Sequence, residues 1–90
     1  MNITQDGLYQ FGEQPCNATV IKVSGDLGGG TLQFGYTIDG AFLPYADPSA
    51  TIAAASELVI NHGFGEKLAF TMTGSTAADA VVLDREIRGR

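Results

Sequence analysis

Residues 25–40 limit what this chain can fold into more than any other stretch. They open with Gly25-Asp26-Leu27-Gly28-Gly29-Gly30, a run that reads as a turn or loop. Thr31-Leu32-Gln33-Phe34-Gly35-Tyr36-Thr37-Ile38 follows and alternates small or polar residues with large apolar ones. Such a period of two belongs to a strand with one wet and one buried face. Asp39-Gly40 closes the segment, and Asp-Gly between alternating residues is a strong hairpin signal. The same grammar returns over residues 61–73. We therefore expect an all-β chain: a single small antiparallel β-sandwich, jelly-roll or immunoglobulin-like, of six to seven short strands.

The remaining strands follow from the same reading. In residues 17–24, Thr19, Ile21 and Val23 share one face, and Ala18, Val20, Lys22 and Ser24 share the other. Val, Ile and Thr suit a pleated surface. Leu32, Phe34, Tyr36 and Ile38 should form the buried face of the next strand, with Gly35 marking a bulge or a close backbone approach. Ala41-Phe42-Leu43-Pro44-Tyr45 should be an edge strand or a strand end, because Pro44 has no donor to give. Asp47-Pro48-Ser49 is a turn. Ala53-Ala54-Ala55 is the one helix-friendly stretch, but it is short and uncapped, so an extended connection is expected there. Residues 57–60 form a short strand, and Asn61-His62-Gly63-Phe64-Gly65 a turn. Leu68, Phe70 and Met72 line one face of the strand after it. In the last strand Val81, Leu83 and Arg85 share a face, and Val82 faces the other way. The two Gly-rich turns do not amount to an internal repeat.

Residues 1–16 are less regular, being interrupted by Gly7, Gly12 and Pro15, yet they carry Leu8, Tyr9 and Phe11. A free tail would not hold three such residues so close together. We read 1–16 as an arm or edge strand that packs on its own domain or on a neighbour, and 17–90 as the sandwich.

Composition narrows the function. At 90 residues the chain is one domain, and such a domain buries only about two-thirds of its extended-chain surface, so a partner would add useful burial. Charged residues make up 17%, few for a surface wholly in water, which points to coverage by another chain. The net charge is −5, which disfavours nucleic acid, since phosphate binding needs clustered Lys and Arg. Arg85, Arg88 and Arg90 do crowd the C-terminus, either as a solvated tail or as a tail that docks on an acidic surface. A single cysteine, Cys16, excludes an intrachain disulfide and suits a reducing compartment. Asn2-Ile3-Thr4 and Asn17-Ala18-Thr19 match the glycosylation sequon, which carries weight only in a secreted protein. The N-terminus lacks the basic start and apolar run of a signal peptide. No stretch is apolar and long enough to be a membrane-spanning helix.

No catalytic, cofactor or metal site is expected. The run 25–30 lacks a Gly-Lys-Ser/Thr and has no helix behind it, so it is not a phosphate cradle. His62 is the only histidine and lies in a turn; no nucleophile elbow surrounds Cys16 or any serine. One His and one Cys cannot make a structural zinc site. Asp26, Asp39, Asp47, Asp79 and Asp84 are scattered singly, without calcium-loop spacing. Tyr9, Tyr36 and Tyr45 could build a carbohydrate platform, but packing is the simpler use of them, and no Trp is present.

Gly28-Gly29-Gly30-Thr31-Leu32-Gln33-Phe34 is followed by Tyr36-Thr37-Ile38-Asp39-Gly40-Ala41-Phe42, then by the Thr/Ala stretch 51–55. Gly63-Phe64-Gly65-Glu66-Lys67-Leu68 and Thr73-Gly74-Ser75-Thr76 come before the closing strand. Across about residues 18–87 this order of turns and strands resembles the small β-sandwich structural proteins encoded among the virion genes of tailed bacteriophages. The resemblance implies a non-enzymatic capsid decoration (cement) protein with no cofactor. It would be present in many copies, often as a homotrimer, on virions assembled in the host cytoplasm. Its partners would be the major capsid protein or other virion proteins, with neither nucleic acid nor membrane involved. On this reading Leu8, Tyr9 and Phe11 are the first candidates for an interface anchor, and Arg85, Arg88 and Arg90 the second. The alternative is a head-fibre or tail component that binds a receptor or glycan through exposed loop aromatics. A small enzyme domain would instead need polar groups clustered in a pocket.

Overall fold

Nine strands make two antiparallel sheets packed face to face, in a computed structural model that describes residues 1–87. They are β1 (Asn2–Ile3), β2 (Gly7–Glu13), β3 (Ala18–Asp26), β4 (Thr31–Ile38), β5 (Ala41–Pro44), β6 (Thr51–Ile52), β7 (Ser56–Asn61), β8 (Lys67–Thr73) and β9 (Asp79–Glu86). One sheet has the order β1-β9-β3-β7; the other has β2-β8-β4-β5, with β6 also on β4. The chain is thus a small all-β sandwich. Seven strands have the expected size, and the two beyond the expected six or seven, β1 and β6, are two residues long. Arg88 and Arg90 lie outside the described residues.

Alternation becomes burial where both sheets are present. Thr19, Ile21 and Val23 of β3 point inward and are buried, as do Leu68, Phe70 and Met72 of β8 and Leu32 and Phe34 of β4. Ala80 and Val82 are the inward residues of β9; Val81, Leu83 and Arg85 point outward. Phe70 is the hub of the core. The rings of Tyr9, Phe11 and Phe34 each lie 5.3 Å from it.

The expected buried face of β4 fails at its end. Tyr36 is half-buried and Ile38 is 53% exposed. The register explains this: β8 begins at Lys67, and its pairing with β4 ends at Tyr36↔Leu68. Thr37 and Ile38 therefore overhang, paired only to β5. The hairpin that carries them has the anticipated two-residue turn. Asp39 and Gly40 have φ of 52° and 82°, and positive values at both positions match the twist of the flanking strands. Pro44 ends the edge strand β5, where a missing donor costs little. Asp47 caps a single 3-10 turn, Pro48–Ala50, by accepting from the Ser49 N–H at 2.9 Å, and the 53–55 stretch is not helical.

The first sixteen residues supply an edge to each sheet, β1 beside β9 and β2 beside β8. Asp6, in the link between them, accepts from the N–H groups of Gly74 and Ser75, each at 3.0 Å, and from the Ser75 hydroxyl. The Ser75 hydroxyl bond is the main reason its carboxyl is held below the usual 3.8. A depressed carboxylate pKa gives stability that is present above the unfolded value and lost as pH falls through the folded one. Asp6→Asn should therefore lower the melting temperature slightly at neutral pH. Melts at a series of pH values should show the gap from wild type closing below about 3.8.

Candidate functional site

One end of the sandwich carries the most exposed large hydrophobic side chain among the described residues. Phe64 is 72% exposed on the loop between β7 and β8. It lines a shallow groove of about 340 Å³ with Tyr36, Ile38, Asp39, Glu66 and Lys67. The overhang of β4 forms the facing wall. Leu43, paired to Tyr36 across the hairpin, is also exposed. Phe64, Ile38 and Leu43 together give this end of the sandwich an exposed apolar surface.

The loop that presents Phe64 is braced on both sides. On the β2–β3 side, the Gly65 N–H donates to the Gln14 carbonyl at 2.8 Å. The Gln14 N–H donates to the Glu66 carbonyl at 3.0 Å, and the His62 N–H to the Asn17 carbonyl at 2.9 Å. Beneath these lies a polar cluster. His62 Nε2 is 2.8 Å from the Thr19 hydroxyl, which in turn donates to Gln14 Oε1 at 3.3 Å. His62 Nδ1 lies 2.8 Å from the Gly63 carbonyl oxygen. Thr19 and Gln14 are buried, so their polar atoms need these partners. On the other side, Glu66 Oε1 accepts from the Tyr45 hydroxyl, and Glu66 Oε2 accepts from the Gly63 N–H at 3.3 Å. Burial first, and the Glu66 carboxylate second, push the Tyr45 phenol far above its usual range, so it stays a neutral donor. Tyr45 also packs on Tyr36, with ring centroids 5.4 Å apart, which ties the brace to the groove.

The fold brings Cys16 and His62, 46 residues apart in sequence, to within 3.9 Å. The Cys16 thiol is buried and donates to the Ala18 carbonyl at 3.2 Å, while the Thr19 hydroxyl lies closer to the same imidazole nitrogen. The geometry holds the loop; Nε2 meets Thr19 before it meets sulfur. Among the described residues no three His, Cys, Asp or Glu side chains are grouped to hold a metal ion. Among the described residues no helix is long and apolar enough to cross a membrane.

The residues anticipated from the sequence are spread over the surface. Tyr9 and Phe11 are half-buried on Phe70, inside their own sandwich, because β2 turns that face inward. Leu8, on the opposite face of β2, is 43% exposed and is the part of the arm open to a partner. Arg85 is exposed on the outer face of β9, where it pairs with Val20 of β3. Tyr36 and Tyr45 do meet, but at the groove and half-buried. Phe64 was not singled out by the sequence reading. Its one signal is a lone aromatic between two glycines, Gly63 and Gly65, in a turn.

The fold and this loop define a class, a small β-sandwich with a braced apolar tip. No family model, curated protein or solved structure matches the chain.

Proposed function

We propose that this chain is a non-enzymatic structural protein of a tailed-phage particle, a capsid decoration protein that docks on neighbouring subunits of the shell. The observation that carries the reading is Phe64, 72% exposed on a loop held from both sides. A pre-organised aromatic loses little entropy on docking, and buried aromatics dominate interface energies. Ile38 at 53% and Leu43 at 40% exposure widen the apolar surface around it. The low charge content and the resemblance of residues 18–87 to virion proteins support the same reading. Many copies on a symmetric shell would turn modest single contacts into firm attachment.

The test is co-sedimentation of wild type and Phe64→Ser with assembled heads. Phe64 is a docking anchor, so the substitution should weaken binding roughly 30-fold, the effect of losing about 2 kcal/mol. Its melting temperature should be unchanged, because the ring packs against little in the free chain. Equal binding by both would contradict the assignment of the anchor. The same exposed aromatic favours a second reading, a glycan-binding tip on a fibre or tail. Saturable binding to soluble sugars in the absence of heads would select it.

A further inference from the structure

The groove beside Phe64 has two kinds of wall. One is apolar and aromatic, made by the Phe64 ring, the exposed Ile38 and the half-buried Tyr36. The other is charged, since Asp39, Glu66 and Lys67 line the same space of about 340 Å³. Both walls are set before anything binds. Asp39 is fixed at the first position of the β4–β5 turn, with φ of 52°. The loop that carries Phe64 is bonded to Gln14, Asn17 and Tyr45.

The sign of the charged wall follows from its partners. Glu66 takes its hydrogen bonds from neutral donors, the Tyr45 hydroxyl and the Gly63 N–H. Its negative charge is therefore kept. Asp39 is exposed at the tip of its turn. Lys67 is the only Lys or Arg among the described residues that lines the groove, and its cross-strand partner is Glu13. The Glu13 carboxylate reaches the Phe64 loop, because a Cβ added to Gly65 would lie 3.9 Å from its Oε1. Three carboxylates thus stand around Phe64 with one ammonium. Lys22 and Arg85 lie on the outer face of the other sheet, Lys22 paired with Leu83 and Arg85 with Val20.

We propose that this groove receives an arginine side chain from the surface of a partner protein. A guanidinium is the group that uses both walls at once. Its flat face stacks on an aromatic ring, and its N–H fork meets a carboxylate with two parallel bonds. Its methylene stem covers apolar surface such as that of Ile38. A lysine ammonium lacks the planar fork and uses the two walls less well. Nucleic acid, free phosphate or an acidic lipid surface would meet an excess of negative charge here. The inference rests on the docking reading of Phe64 and names the chemistry of its partner. The shell subunit would present an arginine beside the apolar surface that takes the outer edge of the ring.

The test is a titration of the isotope-labelled chain, followed by amide chemical shifts, with a blocked Gly-Arg-Gly peptide and with the same peptide carrying citrulline in place of arginine. Citrulline keeps the shape of the side chain and removes its charge. The arginine peptide should move the amides of residues 36–39 and 63–67 and bind roughly 10-fold tighter than the citrulline peptide. Asp39→Asn keeps the turn, since Asn tolerates the same positive φ, and Phe64→Leu keeps an apolar side chain without the ring. Each should weaken arginine binding roughly 3-fold. The inference is overturned by an absence of shifts in these residues, by equal binding of the two peptides, or by wild-type binding in both variants. Co-sedimentation with heads separates it from the docking reading. Head binding that is lost in Phe64→Ser but unchanged in Asp39→Asn overturns the arginine and keeps the docking. Arginine-peptide binding by a chain that ignores heads supports the groove chemistry and removes the phage shell as its partner.

Discussion

Phe70→Ala should lower the unfolding midpoint by roughly 20 °C. Phe70 has no solvent exposure and lies on β8, between β2 and β4 in its sheet. Its ring is the shared neighbour of Tyr9, Phe11 and Phe34. Truncating a buried Phe costs about 3–5 kcal/mol, because the lost transfer free energy is joined by a cavity that the surroundings only partly fill. Collapse is hard here, since the ring neighbours are held on the two flanking strands, Tyr9 and Phe11 on β2 and Phe34 on β4. A domain of this length has about 5–13 kcal/mol of stability in total, so the loss is a large share of it. For small domains each kcal/mol moves the midpoint by about 4–8 °C. A thermal melt followed by circular dichroism measures this. A shift under about 5 °C would mean that Phe70 is not the hub described.

Gly35→Val should cost about 3 kcal/mol and should act by a different route. Gly35 does not have a positive φ; what it lacks is space. A Cβ there would lie 2.2 Å from the Leu43 carbonyl oxygen and 2.7 Å from the Pro44 Cα. Both are backbone atoms of β5, so no rotamer change can relieve the clash, and the hairpin must move away from β4. The damage then spreads. Tyr45 donates its N–H to the Phe34 carbonyl at 3.1 Å and its hydroxyl to Glu66. Displacing β5 strains both bonds and slackens the brace under Phe64. Urea unfolding should show the lost stability, and hydrogen exchange should show faster amides in β5 and in the 62–66 loop while the centre of β3 keeps its protection. Unchanged exchange in β5 would contradict the close approach.

The same two residues mark how far the sequence could be read. Gly35 stood out as a glycine within an alternating strand, which is the signature of close backbone approach, and the approach is present. The limits of β4 and β8 also follow from alternation alone, because both lie in the middle of a sheet with the other sheet opposite. Ile38 belongs to the same alternation yet is exposed. Its burial depended on where β8 starts, a fact about another strand 29 residues away that no local pattern carries. Ile3 shows the reverse. It is buried with no solvent exposure in a strand of two residues, which pairs with Ala80 at the far end of the chain. A pair of residues has no period to detect. The Cys16–Thr19–His62 contact is hidden for the same reason, since it arises only when the β2–β3 turn and the end of β7 meet. Phe64 was legible as a turn residue but not as a displayed one. Exposure is set by what the surrounding loop bonds to, and those partners, Gln14, Asn17 and Tyr45, are scattered along the chain.

The proposed function rests on a braced Phe64 that docks this sandwich on the outside of a phage head. Its most direct test is to mix the folded wild-type chain with tailed-phage heads assembled from a major capsid protein, and to measure the fraction that pellets with them. Saturable co-sedimentation, at a fixed number of chains per capsid subunit and lost in Phe64→Ser, is the expected result. A chain that stays in the supernatant at every ratio of chain to head would contradict it.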